Sequence, residues 1–260
     1  MTFPIPETIP RHALVTGGAK RLGAAMARAL AQAGFDVTLH VHASRAAGEA
    51  LAEELRAMGR RAQVLAADLA REAEVQPLLG RAAEGLGPLG VLVNNASTFA
   101  RDEWHDATRA SWDHHLEPNL RAPFVLTQHF AARLPAGAEG VVANLLDQRV
   151  LSLTPHFVSY TVSKAALWAL TQQLALALAP RIRVFGIGPG PALPSPRQSQ
   201  EQFDRQCRSV PLRRGTSPEE VARALLALLA LPSVTGQILC LDGGQHLQWS
   251  PATAEAAPEE

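Results

Sequence analysis

His12-Ala-Leu-Val-Thr-Gly-Gly-Ala-Lys-Arg-Leu-Gly23 is the stretch on which the fold turns. His12 to Thr16 is a short apolar run suited to a buried strand. Gly17, Gly18 and Gly23 then break it, and Ala24 to Ala33 has helical composition. A strand that runs through a glycine turn into a helix sets the helix N–H groups and positive potential at the strand's end. Glycine allows the tight turn and lets a phosphate come close to the backbone. The spacing is TGxxxRxG rather than GxGxxG. A structural turn explains such a motif in isolation, but at the head of an alternating chain it points to nucleotide binding.

Working outward, strand and helix alternate to the end of the chain. Strands are expected at Phe35 to His40, Ala62 to Ala66, Leu89 to Val93, Gly140 to Leu146, Arg183 to Ile187 and Gly236 to Leu241. Helices are expected at Ala46 to Met58, Arg71 to Ala83, Asn119 to Arg133, Phe157 to Leu178 and Ser217 to Leu231. A polar loop is expected around Trp104 and Trp112, and a loop with a short helix from Pro189 to Phe203. The strands are apolar on both faces, which is the mark of a parallel sheet covered by helices on both sides. Residues 1–250 are read as one domain, and 251–260, small and acidic, as a disordered tail.

Composition narrows the function. With 260 residues and 47% of them hydrophobic, one well-filled core is expected. Lys+Arg and Asp+Glu both number 24, so charge gives no support for binding nucleic acid or an anionic membrane. The amino terminus lacks the pattern of a signal peptide. The apolar run from Leu225 to Pro232 is far shorter than a membrane span. Cys207 and Cys240 stand alone, so a reducing, cytoplasmic setting is expected and no metal site. His105, His114, His115, His129 and His156 have no metal-ligand spacing and read as surface or packing residues.

The rare residues are the informative ones. Only Lys20 and Lys164 are lysines among the 24 basic residues, and Tyr160 is the single tyrosine. Lysine is a compact point charge that the planar guanidinium does not replace. Tyr160 and Lys164, four apart at the start of the longest helix, share one face. The ammonium can tune the phenol and hold a ribose, and the phenol can give a proton where charge develops.

The second strand ends His40-Val41-His42-Ala43-Ser44-Arg45, with no acidic residue to take the ribose hydroxyls of NAD. His42, Ser44 and Arg45 together with Lys20 and Arg21 can surround a 2′-phosphate, which makes NADPH the expected cofactor. After the third strand come Asp68 and Leu69. Asp68 suits either the adenine amino group or a cap.

Taken together, TGxxxRxG, LVNNAS from Leu92 to Ser97, Asn119, Tyr160xxxLys164 and Pro189-Gly190-Pro191 resemble the short-chain dehydrogenase/reductase family. The resemblance runs from about His12 to Leu247. It implies a Rossmann-type, doubly wound α/β fold with a seven-stranded parallel sheet and helices on both faces. It also implies a homotetramer, with Asn94, Asn95 and Ala96 beside the cofactor, a relay water held by Asn119, and a covering loop after Pro189.

Two departures narrow the resemblance. Asp147 lies thirteen residues before Tyr160, where most members have serine. A carboxylate accepts hydrogen bonds but donates none, and it repels a developing alkoxide. Arg21 takes the place of the turn's middle glycine. Both features resemble the pteridine reductases, including the dihydromonapterin reductase branch. That resemblance implies a bicyclic heteroaromatic substrate stacked on Phe99, with Arg21, Asp147, Tyr160 and Pro191 around it and Ser97 against the ring or the cofactor phosphate. It also implies that Gly17, Leu22, Gly23, Pro189 and Gly190 line the cofactor. The competing expectations are a carbonyl or 3-oxoacyl thioester reductase of the same fold, and a non-catalytic nucleotide-binding scaffold.

Overall fold

The computed structural model describes residues 4–195 and 198–248. The expected tail, 251–260, lies outside them, as do two residues of the expected loop after Pro189. The strands are β1 (His12–Val15), β2 (Asp36–Val41), β3 (Ala62–Ala66), β4 (Val91–Asn94), β5 (Gly140–Leu145), β6 (Ile182–Pro189) and β7 (Ile238–Leu241). They form one parallel sheet in the order β3-β2-β1-β4-β5-β6-β7. The expected doubly wound fold is therefore present, and the order reverses between β1 and β4. Ligands of open α/β sheets bind at such a reversal, at the carboxyl ends of the strands.

The helices are α1 (Arg21–Gln32), α2 (Arg45–Ala57), α3 (Glu72–Val75), α4 (Leu78–Leu86), α5 (Arg109–Leu116), α6 (Ala122–Arg133), α7 (Val158–Ala177), α8 (Gln200–Ser209) and α9 (Pro218–Leu229). Successive residues of one strand feed two cores. Ala13 and Val15 face a core with α1, α2 and α9 residues such as Leu30, Leu51 and Leu225. Leu14 faces the other, with Leu79 of α4 and Val125 and Phe130 of α6. Burial on both faces explains why the strands read as continuous apolar runs. Among the described residues no helix is long and apolar enough to cross a membrane.

Two expectations are corrected. The single helix from Arg71 to Ala83 is two helices, α3 and α4, parted at Gln76 and Pro77. Proline lacks the N–H and clashes with the preceding turn, which ends a helix there. The polar loop around Trp112 is α5, opened by a capping box between Thr108 and Ser111. It runs into α6 through a π turn, Glu117–Arg121, that holds Asn119. Such turns inside α-helices are frequent at functional sites.

Candidate active site

Two cavities lie at the carboxyl ends of the strands. The first, about 500 Å³, follows the glycine turn and is lined by Gly17, Lys20, Arg21, Leu22, Gly23, His42, Ser44, Asn95, Ala96 and Ser97, among others. A side chain cannot replace hydrogen at Gly23, where a Cβ would stand 2.2 Å from the Gly17 carbonyl oxygen. Gly17 has φ +60°, and its own Cβ would press on the Ala96 backbone at 3.1 Å. Arg21 also has positive φ, 52°, at the place a glycine usually takes.

Asn95 fastens this turn to the end of β4. Its Nδ2 donates to the Thr16 and Gly17 carbonyls at 2.8 and 3.2 Å. The Thr16 hydroxyl accepts from the nitrogens of Asn95 and Ala96 at 2.9 and 3.0 Å. His40 fastens the other side. Its Nδ1 accepts from Gly17 N at 3.2 Å, and its Nε2 donates to the Ala67 carbonyl at 3.0 Å. Burial pulls the His40 imidazole down to about 4. It is therefore neutral near pH 7, as an acceptor on Nδ1 requires.

No carboxylate lines this cleft among the described residues, while Lys20 and Arg21 do, so it fits a dinucleotide with an extra phosphate. Three expected contributors stand elsewhere. Arg45 opens α2 and pairs with Glu49 at 3.5 Å on the solvent side. Asp68 accepts from Ala70 N at 3.0 Å in a local turn ahead of α3, whose cap residue is Arg71, so it is not the helix cap either. Leu69 is buried in the α4–α6 core. Successive side chains of an extended segment alternate between faces, so charge and nearness in sequence alone do not place Arg45 on the side of His42. Here the chain turns into α2, which swings the guanidinium toward Glu49.

The second cavity, about 240 Å³, shares Arg21 and Leu22 with the first. Phe99, Asp147, Gln148, Tyr160, Pro189, Gly190 and Pro191 line it. Ser97 lines the first cavity, on the cofactor side of its two expected contacts. The Tyr160 hydroxyl donates to Asp147 Oδ2 at 2.9 Å. The other carboxylate oxygen accepts from Arg149 N at 2.8 Å and caps the short turn Gln148–Val150. Asp147 is therefore both a cap and a partner of the phenol.

Lys164 is almost wholly buried, with Nζ 5.9 Å from the Tyr160 ring centre. Nζ donates to the Leu145 carbonyl at 2.8 Å. Burial lowers its pKa to about 8, against the pull of the Asp147 charge. Asn119 is buried too. Its Nδ2 donates to Thr98 O at 3.0 Å and Ser163 Oγ at 3.1 Å, while Oδ1 accepts from Thr98 N at 2.9 Å. Both amide hydrogens are taken, so a relay through Asn119 has to use its main chain.

Phe99 stacks on Phe157 with centroids 4.8 Å apart and meets Tyr160 edge-on at 4.7 Å. One face of Phe99 is thus backed by protein, and the same ring borders the cavity. Its loop is anchored by residues the sequence did not single out as functional. Ala100 N donates to His115 Nε2 at 3.0 Å, and His115 Nδ1 meets Ser159 Oγ at 2.6 Å. Asp102 accepts from both the nitrogen and the hydroxyl of Ser159. His115 is fully buried, as the packing alternative expects, and its ring also bridges the Phe99 loop to α7.

Known proteins resemble this chain over most of its length. The family model described as short chain dehydrogenase matches residues 11–205. An uncharacterized oxidoreductase of Mycobacterium tuberculosis is 36% identical over 245 residues, 89% of this chain and 90% of its own length. A 3-oxoacyl-[acyl-carrier-protein] reductase of Staphylococcus epidermidis is 27% identical over 242 residues, 91% of this chain and 99% of its own. The crystal structure of FolM alternative dihydrofolate reductase 1 from Brucella canis, complexed with NADP, superposes with a TM-score of 0.90 at 43% identity. It covers 96% of this chain and 100% of its own.

Proposed function

The chain belongs to the short-chain dehydrogenase family, and on that premise we propose that it uses NADPH to reduce a C=N bond of a pterin or dihydropterin. The observation that carries this reading is the bond from the Tyr160 hydroxyl to Asp147 Oδ2, at the place where most members of the family have serine. The likeness to a dihydrofolate reductase that binds NADP supports both cofactor and ring class.

Bound NADPH supplies the hydride. The residues do the rest. Gly17, Gly23 and the start of α1 receive the pyrophosphate, and Lys20, Arg21, His42 and Ser44 surround the 2′-phosphate. Lys164 holds the ribose and, while charged, favours loss of the phenolic proton. Tyr160 gives that proton to the ring nitrogen as the carbon beside it is reduced. Asp147 orients the phenol and accepts from a ring N–H. Phe99, backed by Phe157, supplies the face on which the ring lies. A ketone offers acceptors alone, which a carboxylate cannot satisfy.

The test is turnover of NADPH with 7,8-dihydromonapterin, dihydrobiopterin and dihydrofolate, run beside a ketone and a 3-oxoacyl thioester. Turnover of a pterin, reduced roughly 10²- to 10⁴-fold by Tyr160→Phe, supports the reading. Turnover of the ketone or thioester alone refutes the pterin substrate and keeps the reductase.

A further inference from the structure

We infer that Gln148, with Ser195 of the same cavity, reads the hydrogen-bonding edge of the substrate ring. This rests on the proposed pterin chemistry and goes further by naming the group that selects the ring. Gln148 follows Asp147 directly and is only 6% exposed. Its Oε1 has no hydrogen-bond partner among the described residues. The buried hydroxyl of Ser195, on the loop after β6, likewise finds none among them. Both residues line the cavity that contains Tyr160 and Asp147.

Leaving a buried amide or hydroxyl unbonded costs about 1–3 kcal/mol. Buried polar groups are satisfied in the great majority of cases, so two orphans in one cavity call for an explanation. The neighbouring amides satisfy each other. Gln198 donates to Gln206 Oε1 at 2.9 Å and accepts from Ser195 N at 3.4 Å. Gln148 Oε1, next to Asp147 in sequence, and Ser195 Oγ keep their hydrogen-bonding capacity unused in this cavity.

The chemistry of that cavity defines the ligand. Asp147 accepts, Tyr160 donates, and a primary amide both donates and accepts along one planar edge. The complement of such an edge is a ring with an N–H next to a C=O or a ring nitrogen, as when glutamine pairs in two-bonded fashion with adenine. The pyrimidine edge of a pterin carries this pattern. A simple ketone or an acyl thioester does not, and would leave the amide unbonded. Sites built to hydrogen-bond a group discriminate strongly against analogues that lack it.

The experiment compares wild type with Gln148→Met, which keeps length and loses both hydrogen-bonding atoms. The NADP⁺-bound protein, which cannot transfer hydride to the ring, is titrated with a pterin and with the same ring methylated at its N–H positions, and steady-state constants are measured with NADPH and the pterin. Wild type is expected to bind the unmethylated ring at least about tenfold more tightly. In Gln148→Met that preference falls to less than about threefold, and KM for the pterin rises by more than kcat falls. Melting temperature and NADPH affinity report folding, and the variant should melt no lower than wild type because an unsatisfied group has been removed. Ser195→Ala should show the same trend more weakly. A full preference in Gln148→Met while wild type turns over pterins overturns this inference alone. Failure of wild type to bind or reduce any pterin overturns the proposed function and this inference together.

Discussion

Asp102, three residues after Phe99, accepts hydrogen bonds from both the main-chain nitrogen and the hydroxyl of Ser159, the residue before Tyr160. The loop that carries the ring platform is thereby fastened to the first turn of the helix that carries the proton donor. Burial works to raise the Asp102 carboxyl, but the bonds from Ser159 outweigh it and hold the group below its ordinary range. Asp102→Asn removes the charge and one acceptor site without removing volume. It is expected to raise KM for the aromatic substrate about tenfold, with a smaller change in kcat and none in NADPH affinity. Ser159→Thr keeps the hydroxyl and should retain more activity than Ser159→Ala. Equal losses in both serine variants would refute the orienting role.

The phosphate side yields a comparison of two cations. Lys20 borders the first cavity, whereas Arg45 faces Glu49. A charge-assisted hydrogen bond contributes about 1.5–3 kcal/mol, and each 1.4 kcal/mol is tenfold in affinity. Lys20→Ala should therefore raise KM for NADPH about tenfold or more and leave KM for NADH within about twofold. Arg45→Ala should change KM for NADPH less than about threefold. The opposite order would show that α2 rearranges to bring Arg45 to the phosphate.

Acid stability tests His40. In the folded chain its pKa is about 4, against 6.5 for the free side chain. Between those values the unfolded chain binds a proton that the folded chain does not. Stability is then fully present above about pH 6.5 and declines as pH falls toward 4, by about 3 kcal/mol from this group. The added proton would sit on Nδ1, facing the N–H of Gly17. Denaturant unfolding of His40→Gln should show a shallower loss across that window. His12, also lowered by burial, keeps the slope above zero. An unchanged slope in the variant would refute the assignment.

Lys164 gives the reverse trade. Its folded pKa of about 8 lies below the ordinary 10.5. The unfolded chain holds the extra proton between these values, so this group makes stability rise with pH from about 8 to 10.5. Below pH 8 the folded protein carries a buried charge at a cost of about 3 kcal/mol. Lys164→Met loses the bond to Leu145 O but also that charge. Its melting temperature at pH 7 should be at least that of wild type, while turnover falls about 10²-fold or more. A clearly lower melting temperature would show that the bond outweighs the buried charge.

The parts legible in the sequence are those where chemistry is written in neighbouring residues. The turn from Thr16 to Gly23, the Tyr160–Lys164 pair and the carboxylate at Asp147 all act at short range, and the two-faced strands announced the sheet. What the sequence concealed depends on contacts between distant segments. Asp102 and Ser159 are 57 positions apart, and nothing local to either predicts their bond. His115 sits on a helix whose weak apolar face made it look like a loop. Charge and place after the second strand point Arg45 at the phosphate, whereas the start of α2 fixes its direction. Gln148 was overlooked because only burial without a partner marks it.

The π turn at Glu117–Arg121 places one residue more than a regular helix would use between His115 and α6. Regular helix advances about 100° per residue, so loss of a single codon there would straighten the rod and rotate one half against the other. His115 could stay against Ser159, or the helix beyond could stay in place, but not both. A more regular, better-formed helix would then make a worse enzyme. At this point of the chain, the number of residues matters before their kind does.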